Sequence, residues 1–195
     1  MTSRPHHRPL TPGDAFFEAV EGGADPALVT EAAERAAALL VRGARGSEDQ
    51  ELIGRLVHLA EAEGLEALAD LWAGSPAESL AGCLWRLYLV REWVHAQPLE
   101  ASLQFDTGRR VAEVDHVVAG VADPPGPDEV RAMVDAVLRG IAETDFADVL
   151  LRAAAFAQVI AAGRAALEIA SAGQMHALAE QLAEAARHEL AGSLH

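Results

Sequence analysis

From Thr11 onward, helix-start chemistry returns at short intervals: Thr11-Pro12-Gly13-Asp14, Asp25-Pro26, Ser47-Glu48-Asp49-Gln50 and Ser75-Pro76-Ala77-Glu78. Each offers a side-chain oxygen to free backbone N–H groups, several add proline at the first helical position, and three place a carboxylate or amide three residues on. Glycines at Gly22-Gly23, Gly43 to Gly46, Gly64 and Gly74 supply the matching stops, because a left-handed residue there ends a helix without steric cost. This punctuation predicts helices over 12–21, 26–43, 48–63, 65–73 and 76–97, with Pro98 ending the last. Alanine is roughly a fifth of the chain, and a side chain that loses no entropy in a helix favours helix between the stops.

The second half follows the same grammar with less certainty of type. Residues 99–106 (LEASLQFD) alternate apolar and polar, a strand signature, but Leu99 with Leu103 and Ala101 with Phe105 also satisfy helical spacing, and an isolated strand has no ladder partner. Helix is the reading adopted. Val111, Val114, Val117, Val118 and Val121 keep helical spacing, and ADPPGPDE (122–129) then interrupts it with prolines and a glycine. Beyond lie an amphipathic helix carrying Val130, Met133, Val134, Val137, Leu138 and Ile141, a long alanine-rich helix from about Asp145 to Ser171, and a last helix from about Gln174 to Leu190. The expected fold is all-α: a compact bundle of about eight helices around a central hydrophobic helix at 76–97. Residues 1–10 are expected to be a disordered basic tail and 11–195 a single helical domain, with a Pro/Gly connector at 123–127 between its halves.

Charge and residue usage then exclude chemistries. All fifteen cations are arginine, so Schiff-base catalysis and the phosphate-loop lysine are unavailable. A formal charge of −15 repels phosphate backbones and anionic bilayers, which argues against direct nucleic-acid or membrane binding and favours basic partners. One cysteine rules out an internal disulfide framework, and no apolar leader follows Arg4, His6, His7 and Arg8, so the expected compartment is the cytoplasm. No cofactor is expected.

The stretch SLAGCLWRLYLVREWVHAQP, residues 79–98, holds the one cysteine, the one tyrosine and two of three tryptophans among Arg86, Arg91, Glu92 and His95. Its apolar residues point in nearly every direction on a helical wheel, which marks a central strut. Metal ligation is considered for Glu92 with His95 and Glu113 with His116, since Glu-x-x-His pairs project from one face in carboxylate-bridged di-metal bundles. Those bundles also need single carboxylates from two further helices, and here only Pro98 and a short segment intervene, so solvated helix faces are the plainer reading. Cys83, between Gly82 and Leu84, reads as a small buried hydrophobe. A helix-turn-helix over Ala60 to Trp72 would present Glu66 and Asp70 to phosphates, the wrong sign. Arg109 and Arg110 form the one concentrated positive spot and are candidates to receive a phosphate or an acidic partner, although pairing with the chain's own carboxylates is favoured. Glu180 and Glu184 line the polar side of the last helix, another candidate interaction surface, while its apolar stripe of Met175, Leu178, Leu182 and Ala186 suggests a homodimer.

Three phrases, LWRLYLVREWV, RRVAEVDHVVAGVADPPGPDEVRAMVDAVL and LLRAAAFAQVIAAGRAAL, resemble a group of small helical actinobacterial proteins over about residues 25–168. That group mostly lacks assigned chemistry, and its nearest functional candidate is the ParJ-like modulators of the chromosome-partitioning ATPase ParA. The resemblance implies a non-enzymatic interaction protein, with a ParA-type ATPase as the partner. A helical metal-dependent enzyme and a ligand-sensing regulator with an apolar pocket between helices stand as the alternatives.

Overall fold

The computed structural model describes residues 26–43, 51, 54–55, 65–111, 127–132, 134–135 and 145–195. Among them there are six helices and no strand: α1 Pro26–Arg42, α2 Leu65–Asp70, α3 Leu80–Ala96, α4 Pro98–Val111, α5 Phe146–Ala166 and α6 Ala172–Leu190. The all-α expectation holds, with six helices among the described residues where about eight were expected. The basic tail, the helix expected at 12–21 and most of that at 48–63 lie outside the described residues, as do residues 112–126. Of the connector expected at 123–127, only Pro127 is described, and it opens a helical stretch over 127–132.

Three boundaries depart from the sequence reading: the helix expected over 65–73 stops at Asp70, and two others shift for identifiable reasons. The helix expected from 76 starts at Leu80: Ser79, not Ser75, is the cap, and its Oγ accepts a hydrogen bond from the Gly82 N–H at 3.1 Å. Residues 75–79 form a turn whose Pro76 carbonyl presses on the first turn of α3, so closely that a Cβ on Gly82 would lie 1.7 Å from that oxygen. Other free N–H groups at this helix start find distant partners, Ala81 donating to Glu34 at 3.3 Å and Leu80 to the His195 carbonyl at 2.9 Å. The long helix stops at Ala166 and not near Ser171, because Glu168 takes a left-handed φ of 56°. Ile169 then donates back to the Arg164 carbonyl at 2.8 Å and Glu168 to that of Ala165 at 3.1 Å, the doubly bonded helix end usually built on glycine.

Pro98 does end α3, and it also opens α4, where its missing N–H costs nothing. The 99–106 segment is helical throughout, so the alternation there reflects a helix with one buried side, Ala101, Gln104, Phe105 and Gly108, and exposed Leu99 and Leu103 on another.

α3 touches each of the other five helices, as a central strut should. Yet the most enclosed helix is α5, with 13 of 21 residues buried against 8 of 17 in α3. Large aromatics explain the difference. Trp85, Tyr88 and Trp93 are too bulky to be enclosed on every side and stay half-buried, whereas the alanines and glycine of α5 let neighbours approach from several directions. α5 also has the length and hydropathy to cross a bilayer, but 67% of its apolar window is buried inside the protein, the condition of a core helix. α3, α5 and α6 run through two apolar clusters, one shared with α1 and Trp72, the other with α4 and Val130 and Val134.

The tightest contact is the crossing of α4 and α5. A Cβ on Gly163 would lie 1.8 Å from the Gln104 carbonyl oxygen, and one on Gly108 1.8 Å from that of Val159. Both obstacles are backbone, which cannot swing aside, so the crossing exists only because both positions lack a side chain.

Candidate functional site

That crossing assembles a cleft. Pressing Gly163 against the backbone of Gln104 brings the Gln104 side chain to Arg164, the next residue on α5, whose Nε donates to Gln104 Oε1 at 2.8 Å. Gln104 and Arg164 are the two buried polar residues among those described, 4% and 8% exposed. The Arg164 Nη1 donates to Ser171 Oγ at 3.2 Å, and the guanidinium carbon sits 4.5 Å from the centre of the Trp93 ring. Trp93 is fixed in turn by its indole N–H, which donates to Gln97 Oε1 at 3.1 Å.

The cleft has a volume of about 630 Å3, with Trp93, Gln97, Gln104, Arg164 and Ser171 as its polar and aromatic lining, Leu103, Leu167 and Ile169 as its apolar lining, and Glu100 beside them. Every group that holds the guanidinium therefore lines the same space. No carboxylate forms an ion pair with Arg164 among the described residues. Its charge is met by a neutral amide, a hydroxyl and the negative face of an indole, an attraction of about 2 kcal/mol when desolvated. Loss of water pushes the guanidinium below its ordinary value, while the more distant Glu100 acts the other way. Arginine's ordinary value is so high that the group stays charged near neutrality.

The residues singled out from sequence lie elsewhere and are engaged. Glu92 accepts from Arg91 Nη1 at 2.6 Å, and His95 Nε2 lies 3.0 Å from Asp135 Oδ1, which also meets Arg91 Nε at 3.2 Å. Glu113 and His116 lie outside the described residues, among which no group of three His, Cys, Asp or Glu side chains is arranged to hold a metal ion. Arg110 and Arg109 pair with Asp106, at 2.7 and 3.6 Å. Glu180 faces His176 at 3.5 Å, and Glu184 pairs with Arg187 and lies 3.4 Å from His188. Arg86 donates to Gln181 and to the Gly82 carbonyl, both at 2.8 Å. Cys83 is buried, and burial pushes its thiol up to about 12, which leaves no thiolate for chemistry near neutrality. The apolar stripe of α6 is spent inside the chain: Met175, Leu182 and Ala186 are buried.

Sequence reasoning passed over Arg164 because an arginine in an alanine-rich helix is usually a solvent-facing residue. A signal was present. Phe156, Ile160 and Arg164 follow at steps of four, so the row that buries the first two carries the third inward as well.

No protein-family model, curated protein or solved structure matches the chain.

Proposed function

We propose that this chain is a non-enzymatic protein that acts by binding another protein through one face of α4. The observation that supports this is a row of large apolar side chains left open to solvent: Leu99 is 75% exposed, Leu103 58% and Val111 59%. A spacing of four residues sets Leu99 and Leu103 side by side on one face, with Val111 further round at the helix end, while Ala101, Phe105 and Gly108 bury the opposite face. An exposed apolar row on a helix anchored this firmly is the form in which helical faces engage partners. The acidic surface adds a preference for a partner with a basic rim.

The sequence resemblance makes a cytoplasmic ParA-type ATPase the first partner to test. Purified ATPase is sedimented with ATP, alone and with this protein, and the expected result is a changed polymer fraction that a Leu99→Glu/Leu103→Glu double variant no longer produces. An unchanged fraction with the native chain removes the ATPase as partner; a double variant as effective as the native chain removes the α4 face. A homodimer would use the same row, since that of α6 is covered. Light scattering in which the native chain is larger than the double variant supports that arrangement, and a native monomer at high concentration opposes it.

A further inference from the structure

We propose that the cleft beside Arg164 is a binding site for a small amphipathic monocarboxylic acid, with the carboxylate on the guanidinium and the apolar body against Leu103, Leu167 and Trp93. A guanidinium carries five N–H donors; here Nε is taken by Gln104 and one Nη1 hydrogen by Ser171, and Nη2 has no partner among the described residues. Nη2, with both its hydrogens, is thus the part left unengaged by the described residues, and with the second Nη1 hydrogen it supplies donors for the two oxygens of a carboxylate.

Charge argues for a single negative group. With Glu100 already beside Arg164, a monoanion leaves the cleft one net negative charge and a doubly charged phosphate two, the costlier case in a protein that already carries −15. The apolar side of the cleft argues for a hydrocarbon body. Leu103 and Leu167 are 58% and 38% exposed there, and a volume of about 630 Å3 lies within the range of small-molecule sites, roughly 300 to 1,000 Å3. The floor is assembled before any ligand arrives, because the glycine crossing positions Gln104 and the Trp93 ring packs on the guanidinium.

Octanoate is the probe, read by the indole N–H resonances of the three tryptophans in the 195-residue protein. Trp93 lines the cleft, while Trp72 is buried elsewhere with its N–H on the Ala33 carbonyl, so the first is expected to shift saturably and the second to stay. Octanol, which has the tail without the charge, and acetate, which has the head without the tail, are each expected to bind at least tenfold more weakly. Arg164→Met is expected to erase the preference for octanoate over octanol. Leu103→Glu, a change at a largely exposed position that adds a negative charge at the mouth, is expected to weaken octanoate at least tenfold, and Leu190→Glu, exposed and outside the cleft, to leave it as in the native chain. Octanol binding as tightly as octanoate, a Trp93 signal that does not move, or a Leu103→Glu variant that binds octanoate like the native chain would each overturn the assignment.

Discussion

Two arginines, one at each of two clefts, have been treated in opposite ways by the same chain. Arg42, at the end of α1, meets Glu189 near the end of α6: Nη1 and Nη2 each donate to one carboxylate oxygen, the second at 2.7 Å, and Nη2 reaches the Leu194 carbonyl at 3.4 Å. The Glu189 hydrogen bond outweighs the opposing effect of partial burial and holds Arg42 above its ordinary value. Arg164 is more deeply buried, forms no ion pair with a carboxylate among the described residues, and is pushed the other way. The first arrangement is a clasp between the first and last described helices, satisfied within the protein. The second leaves a desolvated cation facing a cleft, an arrangement that costs stability and is worth keeping where something else supplies the anion.

The glycines at the two places differ in the same spirit. Around Arg42, Gly43 and Gly192 have open space where a Cβ would go and serve the left-handed turns that end α1 and α6. Next to Arg164, Gly163 serves contact. Breaking that contact is the largest effect expected: Gly163→Ala should cost about 3 kcal/mol or more in chemical denaturation, since α4 and α5 must separate to admit a methyl group, and should disturb the Trp93 indole signal as the cleft opens. A loss under 1 kcal/mol would mean the helices do not cross this closely.

Next in size is the clasp. Arg42→Met strands the Glu189 carboxylate, 8% exposed, and should cost about 2 kcal/mol, less than a fully buried pair because Arg42 is itself 33% exposed. Glu168→Gly should act in the opposite direction, raising stability by about 1 kcal/mol, because it relieves a left-handed residue bearing a side chain at the end of α5, beside the cleft. Gly192 already fills the corresponding place after α6. No gain in Glu168→Gly would show that the glutamate side chain repays its conformational cost.

The smallest effect near neutrality belongs to Cys83, in the apolar cluster that α1 shares with α3. Its thiol holds its proton to about 12 when folded, against an ordinary 9.0, so between those values the unfolded chain binds fewer protons and stability falls as pH rises. Cys83→Ala should flatten that part of the stability profile. In the native chain at pH 8 a disulfide reagent should modify the thiol no faster than the protein unfolds.

Much of the architecture was legible in the sequence because it is local. Asp145 caps α5 through Ala147 at 3.0 Å, Pro98 sits where a helix begins, and Gly43 ends α1, all consequences of short-range stereochemistry. The departures come from contacts distant in sequence or from exceptions to residue preference. Ser75 and Ser79 are equally good caps by composition, and the fold of the 75–79 turn over Gly82 decides between them. The stop at Glu168 was hidden because glutamate occupies a place where glycine is the signal. The site was hidden more deeply. Glu92 and His95 drew attention as a ligand pair and Arg109 and Arg110 as concentrated charge, and the structure pairs them with neighbours; Arg164 stood in a bland alanine stretch, and only the meeting of Gly108 and Gly163 makes it a cleft residue.

Among the described residues, the charge of Arg164 is met by no ion pair while that of Arg42 is met by Glu189. Side-by-side denaturation of Arg164→Met and Arg42→Met tests this contrast most directly. Removing Arg164 strands the neutral Gln104 oxygen, a cost of about 1 to 3 kcal/mol, but also takes away a desolvated cation and strands no ion-paired carboxylate, so the two effects oppose each other and its variant should be more stable than Arg42→Met. An Arg164→Met variant as unstable as Arg42→Met, or more so, would contradict the account and make Arg164 a second structural clasp.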